Sequence, residues 1–448
     1  MLYRKISENI KDWILNGKDA FLLTGARQIG KTFIIRECLK ELKQDYVELN
    51  FIDMPELVNI FANSKNAKDL LLRLSLVCGK SLSPNTIIFF DEIQEFKDII
   101  TRIKFLVEDN TYRYIMSGSL LGVELSDIRS APVGYLEIWQ MYPMCFEEFV
   151  NALGVSKEII ENLKECFDKR CKVDDYIHEK MLDLFYLYLI IGGMPEAVDT
   201  YLKTNNLSNV EDIHHKIIEA YKIDFSKYEK NNKLSLVEIY NALPGQLNSE
   251  NKRFKISEIG KNALYERKES SFIWLKNAGV VIPVYNITEP KLPLILNEKR
   301  SLFKLFSADI GLLTSSYSNE VKIAILNKDK DINNGAIFEN CVAQELLYEG
   351  YDVYYFNSKK YGELDFVIED GFNVLPIEVK SGKSYKKHSA LDNVLSVDSY
   401  KIDKAYILCD GNVEVVGKKI YLPIYMLMFI KKKELESPVY KLDISGLK

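Results

Sequence analysis

The chain has 448 residues, 47% hydrophobic and 27% charged, with a formal net charge of −5. That length predicts two to four domains, each able to bury a core, and the composition is that of an ordinary soluble globular protein. The acidic balance excludes a generally basic nucleic-acid binder, so any basic site has to be local.

The opening stretch MLYRKISENIKDWI lacks the apolar core of a signal peptide. Residues 1 to about 150 then alternate short apolar runs with helical patterns. The runs are FLLT (21–24), YVELNF (46–51), TIIFFD (86–91), YRYIMS (112–117) and YLEIWQ (135–140). That alternation predicts an α/β unit with a mainly parallel sheet. Residues 155–228 are helical in pattern and rich in tyrosine, punctuated by GGMPEA at 192–197. Residues 232–290 read as three helices and a strand, a winged-helix order. From about 335 a second α/β unit follows. Its first helix, AIFENCVAQELLYEG, is expected to stop at Gly350. The longest apolar run, IYLPIYMLMFI (420–430), falls short of the roughly 20 residues of a membrane span, so no membrane partner is expected. Seven cysteines without a CxxC pair, and four histidines, predict a reduced, cytoplasmic chain without a zinc site. His214–His215 reads as a helix surface, and Cys166 and Cys171 as core.

GARQIGKT (25–32) matches G-x-x-x-x-G-K-[ST] and lies between an apolar strand and a helical pattern, the context that motif requires. Gly25 and Gly30 let backbone N–H groups face phosphate oxygens. Ala26, Arg27, Gln28 and Ile29 complete the cradle. Lys31 is expected on the β- and γ-phosphates of ATP, and Thr32 on Mg²⁺. NTIIFFDEIQEF ends a strand in Asp91 and Glu92, where open α/β sheets bind ligands. Asp91 suits Mg²⁺ held through water, and Glu92 suits the base that orients the attacking water. Ser117 and Ser119 end the next strand as candidate γ-phosphate sensors.

GARQIGKT, FFDEIQEF, MSGSLLG, MYPMCFEEF, GGMPEA and FKLFSADIGLL together resemble the prokaryotic AAA-type ATPases that carry a DUF4143 C-terminal region. The resemblance covers nearly the whole chain. It implies an ATPase core of the AAA+ class with a helical lid, a winged-helix part and a nuclease-like C-terminal part. The expected division is 1–152, 153–228, 229–320 and 321–448. It leaves room for a homo-oligomer. Many relatives carry an arginine after a glycine before the YP-x-x-FEEF box. Here Tyr135 stands at that place, and Arg129 is the nearest candidate for an arginine finger acting on a neighbour's nucleotide.

GELDFVIEDGFNVLPIEVKSG (362–382) puts two acids and a lysine into apolar strands, where charges are costly unless paired or metal-bound. With Asp370–Gly371 as a two-residue turn, Asp365 is expected opposite Pro376 and diagonal to Glu378, roughly 7–8 Å away. Leu364, Phe366, Ile368, Leu375, Ile377 and Val379 are expected on one core face, and Asp365, Val367, Glu378 and Lys380 on the other. Two carboxylates so placed can share a Mg²⁺ or Mn²⁺ ion, and Lys380 can steady a nucleophile or developing charge. This looks like the D…ExK active site of the PD-(D/E)xK nucleases, a restriction-endonuclease-like fold. That resemblance implies a further acid on the preceding helix, Glu339, with Glu345 in reserve. The expected partner is DNA. KSGKSYKK (380–387) offers four lysines for phosphate contact, and residues 251–268 carry six Lys/Arg against two acids. The other reading of the residues is a nucleotide-dependent switch or binding module without cleavage.

Overall fold

The computed structural model describes residues 2–78, 82–119, 134–228, 233–249, 252–255, 265–329, 334–382 and 385–433. Arg129 and residues 256–264 of the expected winged helix lie outside them. The five apolar runs of the N-terminal part become β1 (Ala20–Thr24), β2 (Tyr46–Asn50), β3 (Ile87–Asp91), β4 (Arg113–Ser117) and β5 (Leu136–Gln140). They form one parallel sheet in the order β2-β3-β4-β1-β5. Helix α1 (Ile6–Asn16) precedes β1, and α2 (Lys31–Glu41) follows it. Helices α3 (Glu56–Ala62) and α4 (Ala67–Cys78) follow β2, and α5 (Asp98–Asp109) follows β3. Strands covered on both faces read as continuous apolar runs rather than as alternation, as AFLLT and IIFFD do. Leu22, Phe90 and Met116 pack one face against Phe51, Phe61 and Ile103. Phe21, Leu23, Phe89 and Ile115 pack the other against Ile10, Ile34 and Ile35.

That second core continues unbroken into the rest of the molecule. Helices α6 (Phe146–Ala152), α7 (Lys157–Lys169), α8 (Asp175–Ile191), α9 (Pro195–Thr204), α10 (Leu207–Tyr228), α11 (Lys233–Leu247) and α12 (Tyr265–Asn277) lead to the hairpin β6 (Val281–Ile287) and β7 (Glu298–Ser307). Then come α13 (Ile310–Thr314), α14 (Asn319–Leu326) and α15 (Gly335–Tyr348), which does stop before Gly350, at φ 78°. Strands β8 (Tyr354–Ser358), β9 (Gly362–Asp370) and β10 (Asn373–Lys380) precede α16 (Ser389–Leu395), β11 (Ala405–Cys409), β12 (Glu414–Val416) and β13 (Lys419–Pro423). The second sheet runs β12-β13-β11-β10-β9-β8-β6-β7. The β6–β7 hairpin therefore belongs to the same sheet as the C-terminal strands, joined through parallel β6 and β8. No helix among the described residues is long and apolar enough to cross a membrane.

The β9–β10 hairpin forms, two residues out of the expected register. Asn373 pairs with Asp370 and Ile377 with Phe366, so Gly371 and Phe372 are the loop. Gly371 takes φ 65°, and glycine at the first loop position is what a type II′ turn requires. A shift of two preserves the faces of β10; the pairing ends at Ile377 and Phe366, one step short of Asp365 and Glu378, which the same register would set level. One residue changes sides. Tyr354 pairs with Val367 but Phe356 with Leu364, so Asp365 and Phe366 together oppose Tyr355. This bulge sends Leu364 into the core that holds Val367 and Val374, away from Phe366. Bulges re-aim side chains and gather beside active sites.

The boxes MYPMCFEEF, GGMPEA and FSADIGLL meet in a buried polar knot. Met144 N donates to Gly193 O at 2.7 Å, and Gly193 N to Asp309 Oδ2 at 2.7 Å. Asp309 also caps α13 through Leu312 N at 2.9 Å. From α15, Gln344 accepts from Ile310 N at 2.9 Å and donates to the Tyr188 hydroxyl at 2.7 Å. Glu345 Oε1 accepts from Phe146 N at 2.8 Å and from the Tyr188 hydroxyl at 3.1 Å. Glu345 is thus a tie between α15 and the N-terminal half, which corrects its place as a reserve metal ligand. His214 is buried on Ile191 O at 2.9 Å, so only His215 is the expected surface residue. Cys166 is buried as expected and Cys171 is exposed.

Burial pushes the Glu345 carboxyl up to about 8 from 4.5. The unfolded chain loses this proton near 4.5 and the native chain keeps it to about 8. The group's contribution to stability is therefore present below 4.5 and declines as pH rises toward 8. Glu345→Gln keeps an acceptor for Phe146 N and carries no charge. Its stability relative to wild type is expected to rise by roughly 2–4 kcal/mol between pH 5 and pH 8. Urea unfolding of both proteins at the two pH values measures this.

Candidate functional site

The loop after β1 turns back under tight steric control. Gly25 has φ 143°, and a Cβ there would stand 2.3 Å from Met141 O. Gly30, at φ 88°, opens α2 in a left-handed conformation. The Lys31 ammonium folds onto the loop, donating to Gly25 O at 3.0 Å and Ala26 O at 2.7 Å. Burial lowers its pKa to about 8, with Glu92 and Asp91 opposing. Thr32 Oγ1 and the buried Ser117 hydroxyl donate to Asp91 Oδ1, the former at 3.0 Å, and Asn50 Nδ2 donates to Asp91 Oδ2 at 3.0 Å. Burial raises the Asp91 pKa, and the Ser117 and Thr32 hydrogen bonds pull it back. Glu92 follows in a left-handed conformation, φ 55°, a backbone cost that proteins retain mainly where function requires it. The structure thus gathers Lys31, Thr32, Asp91, Glu92 and Ser117 at the carboxyl ends of β1, β3 and β4. Ser119 lies two residues beyond Ser117, buried.

Asn50 was not legible as a site residue, since it ends β2 without a motif. Arg27 has a second role: Nη1 contacts both carboxylate oxygens of Asp224 on α10 at 2.8 Å, and the Tyr221 hydroxyl donates to Arg27 O at 3.3 Å. Arg4 is the other residue that the sequence hid. It donates to Ile29 O at 3.2 Å, Tyr142 O at 2.6 Å and Glu148 Oε2 at 3.0 Å.

The second constellation lies at the β9 bulge. Asp365 Oδ2 accepts from Val379 N at 2.9 Å. Glu378 is 3% exposed, with Oε2 at 2.8 Å from Lys380 Nζ. Its Oε1 has no hydrogen-bond partner. Burial raises the Glu378 pKa, the Asp365 charge adds to this, and Lys380 opposes it. The Lys380 pKa is raised: burial pulls it down, but Asp365 and Glu378 outweigh that. Glu339 on α15 is also buried, with Oε2 lacking a hydrogen bond and Oε1 held by Lys252 Nζ. Lys304 on β7 has no solvent exposure and stands 3.6 Å from Glu339 Oε2 and 2.7 Å from Glu363 Oε1. Neither lysine was expected here, because each arrives from a segment distant in sequence. His388 was missed too; it is 5% exposed, beside Lys380, and neither ring nitrogen has a hydrogen-bond partner. Among the described residues no three of His, Cys, Asp and Glu form a ready metal cage. Of the KSGKSYKK lysines, Lys380 is on Glu378, Lys386 pairs with Glu414 at 2.9 Å and Lys387 is exposed. Lys383 lies outside the described residues.

Residues 17–150 match the family model of an AAA domain. The N-terminal part of the chain is similar to AAA domains. Beyond this AAA domain, residues 182–321 match a domain of unknown function, DUF8612, and residues 334–427 match another, DUF4143. Comparison with curated proteins finds no match. Solved structures similar to the chain include the Walker-type ATPase PABY2304 of Pyrococcus abyssi, at 13% identity and TM-score 0.41, over 70% of this chain and 95% of that one. AMPPCP-bound DnaA from Aquifex aeolicus is similar at 14% identity and TM-score 0.30, over 60% and 81%. Cdc6p from Pyrobaculum aerophilum is similar at 11% identity and TM-score 0.26, over 73% and 96%.

Proposed function

We propose that the chain binds and hydrolyses ATP and couples the nucleotide state to a metal-dependent nuclease that acts on DNA. The observation that carries the nuclease part is Glu378. A carboxylate buried to this degree, with one oxygen on Lys380 and the other without a partner, calls for a proton or a further cation. The orphaned oxygens of Glu378 and Glu339, with Asp365 level with Glu378, fit a hard divalent cation. A Mg²⁺ or Mn²⁺ held by Glu339, Asp365 and Glu378 would neutralise a phosphoryl oxygen and lower the pKa of bound water. Lys380 steadies the nucleophile and the charge that develops on the phosphate.

In the AAA domain, the Gly25–Thr32 loop holds the triphosphate, with Lys31 on the β- and γ-phosphates. Thr32, and Asp91 through water, would hold Mg²⁺, and the contact between them supports this. Glu92 orients the attacking water, and Ser117 and Ser119 sense the γ-phosphate. Residues 1–152 form the ATPase core and 153–228 the lid. Residues 229–320 are the winged-helix-like part, whose strands β6 and β7 join the sheet of the nuclease-like part, 321–448. The absence of a ready metal cage among the described residues, with Glu339 held between two lysines, favours a second reading: a nucleotide-dependent switch with an inactive nuclease fold.

Cleavage of plasmid and branched DNA with Mg²⁺ or Mn²⁺, with and without ATP, separates the two. Asp365→Ala is expected to lose cleavage at least 100-fold with ATP turnover intact, and Lys31→Ala to lose turnover. A wild-type protein that turns over ATP and cuts nothing would leave the switch.

A further inference from the structure

Two lysines hold Glu339, and they differ in how firmly they are placed. Lys304 lies inside β7 with no solvent exposure, and its ammonium is also bound to Glu363. Lys252 comes from the short segment 252–255 after α11. Its side chain is 22% exposed, and its backbone is left-handed at φ 43°. That conformation costs energy for any residue with a Cβ. It is held by its neighbours: Phe254 N donates to Phe303 O at 3.0 Å, the Phe254 ring packs against Phe272 and Phe303, and Lys255 N donates to Gln246 Oε1 at 3.0 Å.

We propose that Lys252 is a removable plug in the nuclease-like site, its ammonium occupying the Glu339 oxygen that a divalent cation needs. This rests on the reading of Glu339, Asp365 and Glu378 as a metal site. The charge logic is direct. An ammonium and a divalent cation at one carboxylate oxygen exclude each other by contact and by repulsion. Withdrawal of Lys252 frees Glu339 Oε1 alongside Glu339 Oε2 and Glu378 Oε1, which already lack hydrogen-bond partners. With Lys252 in place, Glu339 Oε1 is closed to a metal ion.

The plug is mechanically connected to the nucleotide loop. Lys252 follows α11 by five residues. Helix α11 packs on α10 through Tyr240 against Tyr221 and Phe225, with ring centroids 6.4 and 5.7 Å apart. On the same helix α10, Asp224 grips Arg27 of the phosphate loop. A triphosphate that draws Arg27 from Asp224 would loosen the element from which the plug hangs.

The test is Mn²⁺ binding to the full chain without nucleotide, by electron paramagnetic resonance, which needs no catalytic activity. Wild type, Lys252→Met, Lys252→Gln and each with Glu378→Gln are compared, with thermal unfolding to confirm that they fold. The expected result is Mn²⁺ bound about tenfold tighter in both Lys252 variants, with the gain lost when Glu378→Gln is added. Mn²⁺ affinity that depends on Glu378 but is equal or weaker in the Lys252 variants would overturn the plug and leave the metal site standing. No Glu378-dependent Mn²⁺ in any variant would overturn both.

Discussion

Arg4→Ala is expected to lower the unfolding free energy by about 3–5 kcal/mol, the range for removing one partner of a buried ion pair. Its guanidinium joins the Glu148 carboxylate, which has no solvent exposure, to two backbone carbonyls, of Ile29 and Tyr142. Glu148 would keep Lys5 N at 2.6 Å and the Tyr348 hydroxyl at 2.9 Å, but no buried cation. Arg4→Lys keeps the charge and loses the planar fork that reaches three acceptors, so it should recover only part of the loss. Arg4→Met combined with Glu148→Leu, which removes both charges, should be more stable than Arg4→Ala alone. Chemical denaturation of the three variants measures the series. A loss under 1 kcal/mol in Arg4→Ala would mean that the N-terminal segment does not hold the phosphate loop in place.

Lys31→Met is expected to weaken ATP binding at least 100-fold and to leave the nucleotide-free protein as stable as wild type or more so. The ammonium is buried against two loop carbonyls, and burial holds its pKa down to about 8. Burying an ammonium in this way costs stability. The ammonium is the form that meets phosphate, so wild-type affinity should rise as pH falls from 9 to 7. The variant should lack that dependence. Calorimetric titration with ATP and Mg²⁺ at both pH values is the measurement. An unchanged affinity in Lys31→Met would show that phosphate is not bound at this loop.

What was legible in the sequence was what depends on neighbours in the chain. Gly25 and Gly30 announce a tight loop because no other residue fits there, and Asp91–Glu92 end a strand whose apolar run marks it as central. The hairpin was legible in its faces and missed in its register. Asp370–Gly371 and Gly371–Phe372 are both acceptable loops, and only tertiary packing selects the second. The bulge at Asp365 left no local trace, because it exists to fit β9 to β8. Lys252, Lys304 and Arg4 were invisible for a plainer reason: an ion pair between residues far apart in sequence has no spacing to read. Glu345 misled because a buried acid on the right helix looks the same whether its oxygens meet a metal or a backbone N–H.

Helix α15 has a consequence for how this chain can be cut and recombined. Its first turns carry Glu339 and its last turns carry Gln344, Glu345 and Tyr348, which are bonded to Ile310, Phe146 and Glu148. A helix rises about 1.5 Å per residue, so both sets share one short, stiff rod. A fragment beginning near residue 321 would present to water the side of this rod that now faces the AAA domain, with its acids stripped of their donors. Such a fragment should aggregate or need its other half added back. Grafting this C-terminal region onto a different ATPase would call for transplanting the FEEF box and the N-terminal arm with it.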